Sequence, residues 1–171
     1  DLRRCMAHLL DSNRKIIYSR AQLAERLPDL LRPLVFTNGC FDILHRGHVD
    51  YLTRSAALGR FLLVAVNDDD SARRLNKGKD RPFNSLDDRI AVLAGLECID
   101  CVVPFHEDTP LDLIQLLRPD HLVKGGDWPT NQIIGGEFVS QLGGQVHSVP
   151  FRYPHSTSKI IRQIRETEAD G

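Results

Sequence analysis

No apolar run in this 171-residue chain approaches the ~18 residues that a membrane-crossing helix needs. Even Phe61 to Val66 runs at once into Asn67 and three aspartates. Cysteine is scarce: Cys5, Cys40, Cys98 and Cys101 are too few for a disulfide scaffold, and no charged, apolar and small-residue leader opens the sequence. A cytoplasmic, reducing setting is therefore expected. Neither sign of charge is in excess, with 22 Lys and Arg against 23 Asp and Glu. No broad field draws the chain to nucleic acid or to an anionic membrane, so an anion site has to be assembled locally. Internal repeats, low-complexity tracts and linkers are missing between Leu34 and Arg165. The first residue is Asp1 rather than Met, so a processed, trimmed or excised piece of a longer protein is among the readings.

A chain of this length can bury roughly 70% of its unfolded surface in one compact domain. Residues 1–32 carry apolar positions at helical spacing (Ala21, Leu23, Leu27, Leu31) interrupted by Pro28, and read as a lead-in of one or two helices. Residues 33–171 read as the main domain. There, short β-type runs at Leu34 to Thr37, Phe61 to Val66, Cys101 to Pro104, His121 to Lys124 and Gln145 to Val149 alternate with amphipathic stretches. Those stretches are His48 to Leu58, Leu86 to Leu96, Pro110 to Leu117 and Gln132 to Leu142. Strands alternating with helices imply βαβ units. The expected fold class is α/β: a Rossmann-like, doubly wound, five-stranded parallel sheet with helices on both faces. Ligands then belong beyond the carboxyl ends of the strands, where the strand order reverses.

The loop after the first strand reads Thr37-Asn38-Gly39-Cys40-Phe41-Asp42-Ile43-Leu44-His45-Arg46-Gly47-His48 and opens a helix. Backbone N–H groups at such a helix start face an anion, and Gly39 and Gly47 allow close approach. His45 and His48, three apart, aim at the same volume. Three other chemistries compete. Zinc held by His45, His48, Cys98 and Cys101 is one, opposed by the apolar strand into which the cysteines run. A dinucleotide site using Asp68 or Asp69 lacks its Gly-x-Gly-x-x-Gly, and the Walker phosphate loop is absent. Further along, Ser156 stands ready to cap a last helix, and Ser156, Thr157 and Ser158 offer hydroxyls to phosphates. Lys124-Gly125-Gly126-Asp127 follows the fourth strand, where glycines let backbone approach a base or ribose. Trp128 is placed either to stack on that base or to pack.

These motifs resemble the cytidylyltransferase-like nucleotidyltransferases: H-x-G-H after T-x-G-x-F-D-x-x-H, then Ala65-Val66-Asn67-Asp68-Asp69, Lys77-Gly78 before Arg81-Pro82, Asp88-Arg89, and Ser156-Thr157-Ser158. The Lys124 to Asp127 run resembles the branch acting on heptose 1-phosphate. The resemblance covers about Leu34 to Arg165. It implies transfer of AMP from ATP to a sugar 1-phosphate, with ADP-heptose made for lipopolysaccharide. It also implies His45, His48 and Lys77 as catalytic groups. Asn38, Gly39, Cys40, Phe41, Asp42, Gly47, Arg89, Lys124, Gly125, Gly126, Asp127, Ser156, Thr157 and Ser158 are then expected to bind nucleotide. Magnesium is expected to arrive on the nucleotide phosphates, with Asp42 either contacting it or orienting the nucleotide and no protein metal site assigned. Lys79 lies in a loop one residue longer than the pattern. Asp68, in place of Ser, and Arg152-Tyr153-Pro154-His155 depart from the family and leave acceptor choice open. The remaining readings are a CTP-dependent enzyme for glycerol 3-phosphate or a similar acceptor, and a nucleotide-sensing domain without turnover. A homodimer and an upstream sugar kinase, separate or fused, are implied as well.

Overall fold

A computed structural model describes residues 12–75, 81–154 and 156–169. Five strands form one parallel sheet: β1 (Leu34–Gly39), β2 (Phe61–Asn67), β3 (Cys101–Phe105), β4 (His121–Gly125) and β5 (Gln145–Val149), in the order β3-β2-β1-β4-β5. Their registers run from Leu34 opposite Phe61 and Val35 opposite His121 outward to both edges. The strand order reverses between β1 and β4, which opens the switch-point crevice at their carboxyl ends.

Side chains that alternate along each strand supply two cores. Leu34, Phe36, Leu63, Ala65 and Leu122 face one side, covered by α1 (Arg20–Arg26), α5 (Leu111–Leu117) and α6 (Gly136–Gln141) through Leu23, Ile114 and Val139. Val35, Leu62, Val64, Val66 and Val123 face the other, covered by α2 (Arg46–Ala56) and α4 (Leu86–Ala94) through Tyr51, Leu52, Ile90 and Leu93. Burial on both faces accounts for the continuous apolar runs of the parallel strands. A last helix, α7 (Thr157–Ala169), lies on the surface, with Ile164 53% exposed.

Three elements differ from the sequence reading. The lead-in is not simply helical: a 3-10 turn (Ser12–Lys15) delivers Ile16 to a parallel bridge with Val102, and the Ile17 N–H donates to Val102 O at 3.0 Å. Helix α1 follows, capped by the Ser19 hydroxyl, and Pro28 sits in the 3-10 turn that ends it. Leu23 is buried, but Ala21 and Leu31 are exposed. The second difference is α3 (Asp69–Arg74), six residues started by the Asp68 carboxylate accepting from Ser71 N at 2.7 Å. It is too short to show a period. The third is the stretch from Gln132, which breaks into a 3-10 turn (Thr130–Gln132) and α6, because Gly135 between them adopts φ +81°.

Candidate active site

The loop leaving β1 is pinned from below. Phe41 takes a left-handed φ of 49°, its ring is buried, and a Cβ on Gly39 would stand 3.0 Å from it. Asp42, 7% exposed, accepts from Phe83 N at 2.9 Å and Asn84 N at 2.9 Å, while the Asn84 amide donates to Asp42 O at 2.5 Å. Beneath them the Arg89 guanidinium donates to Cys40 O (2.6 Å), Asn67 O (2.8 Å), Asn84 O (3.1 Å) and Asp69 Oδ1 (2.8 Å). Arg89 is 2% exposed. The Arg89 side chain does not line the cleft, because its donors hold the loop, which is the structural one of the two roles the sequence leaves to it; the Asp42 carboxylate lines the cleft and accepts from the 83–84 backbone. Asp69 completes that ion pair and Asp68 caps α3, so both acids weighed for a ribose are engaged within the protein.

Where the loop becomes α2, the two histidines cap the helix together. His45 Nδ1 accepts from Gly47 N at 3.1 Å, and His48 Nδ1 accepts from His45 N at 3.4 Å. An Nδ1 that accepts an N–H carries no proton, so each neutral ring is inferred to bear its proton on Nε2. The ring centroids lie 4.0 Å apart. Gly47 leaves room for this arrangement, since a Cβ there would meet His45 Cε1 at 2.9 Å. Gly47 shapes the site and does not line it.

The start of α7 faces the same cleft. Ser156 Oγ accepts from Lys159 N at 3.2 Å, Thr157 Oγ1 donates to Ile43 O at 2.9 Å, and Ser158 Oγ accepts from Arg81 Nη2 at 3.1 Å. The three hydroxyls thus divide into a cap, a tether and a side chain beside a cation. The segment before them is strapped to α2: Arg46 lies 3.9 Å from the Tyr153 ring centroid, and Arg54 donates to Pro150 O at 2.7 Å. Arg81, 12% exposed and 3.7 Å from Asp42 Oδ2, lines the cleft. Sequence reasoning quoted it only as part of Arg-Pro after a polar loop and gave it no role. Lys77 and Lys79 lie outside the described residues, as does His155.

On the β4 side, Lys124 and Gly125 line the cleft. A Cβ on Gly125 would meet Phe151 at 3.0 Å and Tyr51 at 3.3 Å; Gly126, at φ +108°, turns the chain so that Trp128 Nε1 donates to Gly125 O at 3.2 Å. Gly126 therefore shapes the turn, and Asp127 is exposed beside the cleft without lining it. Phe151, 45% exposed, and Trp128, 50% exposed, are aromatic faces at the rim. Phe151 carried no sequence signal beyond its place after β5. Tyr51 forms the floor, its hydroxyl bonded to that of Thr37; burial pushes its pKa up to about 12, so it exchanges no proton near neutrality. The whole cleft encloses about 520 Å³, with Asn38, Gly39, Cys40 and the two histidines along one side.

The zinc reading fails on geometry. Cys101 opens β3 at the amino end of the sheet, opposite the histidines at the carboxyl end, and burial pushes its thiol up to about 12. Among the described residues no group of three or more His, Cys, Asp or Glu is placed to hold a metal ion.

The profile of the family described as cytidylyltransferase-like matches residues 36–163. A D-beta-D-heptose 1-phosphate adenylyltransferase of Bordetella bronchiseptica is 53% identical over 155 residues, 88% of this chain and 94% of that protein. The bifunctional protein HldE of Helicobacter hepaticus is 49% identical over 89% of this chain, which spans only 31% of that longer protein. Among solved structures, a lipopolysaccharide core biosynthesis protein of Thermoplasma volcanium superposes with TM-score 0.57 at 30% identity, over 71% of this chain and 98% of that one. A pantoate-beta-alanine ligase of Francisella tularensis, TM-score 0.58 at 15% identity over 81% of this chain and 68% of that one, shares the fold.

Proposed function

The chain belongs to the cytidylyltransferase-like family, and from that premise we propose that it transfers AMP from ATP to D-glycero-β-D-manno-heptose 1-phosphate. The products are ADP-heptose, destined for the lipopolysaccharide core, and pyrophosphate. The observation that carries this reading is one cleft lined by two helix starts, in a chain 53% identical to a heptose 1-phosphate adenylyltransferase. One helix start bears the His45 and His48 rings, the other Ser156 to Ser158 beside Arg81.

An oxygen of the sugar phosphate attacks the α-phosphorus of ATP in line. The bond from that phosphorus to the bridging oxygen breaks, and pyrophosphate leaves on the far side. Charge accumulates on the equatorial and bridging oxygens, so fixed donors supply the catalysis without a covalent nucleophile. His45 and His48 donate from Nε2 to oxygens of the α- and β-phosphates. Arg81 and the α7 start, with Lys77 by resemblance, hold the β- and γ-phosphates. Asn38, Gly39, Cys40 and Phe41 bring backbone against the triphosphate. Lys124 and Gly125, on the turn built by Gly126, meet the nucleoside and the acceptor phosphate, with Phe151 as a face for the base. Magnesium carried by ATP neutralises phosphate charge when bound.

The enzyme is placed in the cytoplasm and works as a homodimer, which light scattering tests. Its sugar 1-phosphate comes from a kinase, separate or fused, in keeping with the bifunctional name of the longer relative. Pyrophosphate release with ATP, CTP, GTP or UTP, each with heptose 1-phosphate, glycerol 3-phosphate or no acceptor, tests the chemistry. Activity is expected with ATP plus heptose 1-phosphate alone. Release with CTP and glycerol 3-phosphate overturns the assignment in favour of a cytidylyltransferase. A nucleotide-dependent rise in melting temperature with no release under any pairing indicates a sensor.

A further inference from the structure

A second, smaller cavity of about 160 Å³ adjoins the main cleft, and Asn38, Lys124 and Trp128 line both. Its floor is Leu122 and Val123 at the end of β4, and its far walls are Pro110, Ile133 and Ile134 with the Gln132 amide. The volume equals that of about five waters of the liquid at about 30 Å³ each, room for a single sugar ring and not for a nucleoside.

Its chemistry is mixed in the way a sugar requires. Asn38 and Gln132 each offer a donor and an acceptor to hydroxyls. Trp128, Ile133, Ile134 and Pro110 offer apolar surface to the C–H face of a ring. In-line displacement needs the acceptor on the side of the α-phosphate away from departing pyrophosphate. Arg81 and the Ser156 to Ser158 hydroxyls line the main cleft alone, whereas Lys124 lines both it and the side cavity.

We propose that this side cavity is the acceptor subsite. It holds the sugar ring of the sugar 1-phosphate through Gln132, Asn38 and the Trp128 face, with Lys124 at the junction meeting the sugar's phosphate. The inference rests on the sugar 1-phosphate reading given above. Gln132 and Ile134 thereby determine acceptor specificity, and both are exposed enough to be replaced without disturbing the core.

The test is calorimetric binding of heptose 1-phosphate to the protein saturated with a non-hydrolysable ATP analogue, in wild type, Gln132→Leu and Ile134→Trp. Binding of the analogue alone is measured in parallel. Each substitution is expected to weaken heptose 1-phosphate binding about tenfold and to change analogue binding less than twofold, with the melting temperature unchanged. If the analogue weakens instead, the cavity holds the base and the proposal falls. If wild type binds heptose 1-phosphate and both variants bind it equally well, the cavity is no subsite, while the proposed reaction stands. Failure of wild type to bind heptose 1-phosphate at all overturns both.

Discussion

Two helix starts converge on one cleft, and they are built in opposite ways. The start of α2 rests on buried material: Arg89 and Asp42 hold the loop before it, two histidines cap it reciprocally, and Tyr51 and Leu52 anchor it in a core. The start of α7 is held at the surface by single bonds, Thr157 to Ile43 O and Arg81 to Ser158, and by the ring stack of Tyr153 on Arg46. On the proposed mechanism, the groups that match the transition state sit on the rigid start, where preorganisation counts most. The groups proposed to grip the outer phosphates sit on the start with less to hold it, whose grip has to be released when pyrophosphate leaves.

The sharpest way to break this contrast is His48→Ala, which should lower kcat about 10²–10³-fold with little change in KM for ATP, read by pyrophosphate release. A purely structural role for His48, as half of the reciprocal cap, would lower the melting temperature and leave kcat of the folded protein unchanged. Next is Arg89→Met. It strands three carbonyls and Asp69 and should cost about 3 kcal/mol in denaturant unfolding, while the folded fraction keeps a measurable kcat. Unchanged stability would mean that the loop does not depend on that network. Arg81→Ala should raise KM for ATP about tenfold, equivalent to about 1.4 kcal/mol, with kcat within a few-fold. A larger loss in kcat than in KM would move Arg81 into the transition-state group.

The smallest effect expected is with pH. His147 shares a 3.0 Å N···N contact with His121 across β4 and β5, and desolvation, helped by His121, lowers its pKa. A depressed histidine takes up its proton more readily in the unfolded chain. Its contribution to stability is therefore complete above the ordinary histidine range and declines as pH falls through about 6.5. His147→Gln should flatten that acid limb in thermal melts.

All five strands and the loop that opens α2 could be read from the sequence because each rests on local pattern: apolar runs bounded by polar residues, and H-x-G-H after glycine and aspartate. The residues misjudged or missed are those whose role depends on distant partners. Arg89 reads as an exposed helix residue beside Asp88, yet three of its four partners are 20 to 49 positions away in sequence. Only the sheet brings Cys40, Asn67 and Asp69 to it. Arg81 gains its place from Asp42 and Ser158, 39 and 77 positions distant. The bridge at Ile16 likewise depends on β3, 86 positions on. Local chemistry announces ligand-facing groups; the scaffolding that aims them is written in long-range contacts.

That bridge leaves the sheet with unequal margins. Ile16 and Ile17 cover the outer side of β3, whereas among the described residues no strand pairs with the outer side of β5. Amides in β1 and β2, paired on both sides, can exchange with solvent deuterium only through global opening. Those of β5 and of the strap leading to α7 open locally. Because β5 runs directly into the segment that carries Phe151 and Ser156, bound ATP lends its binding energy to that margin. Amide exchange should slow there first, making the free edge of the sheet the part of the molecule that registers whether the site is full.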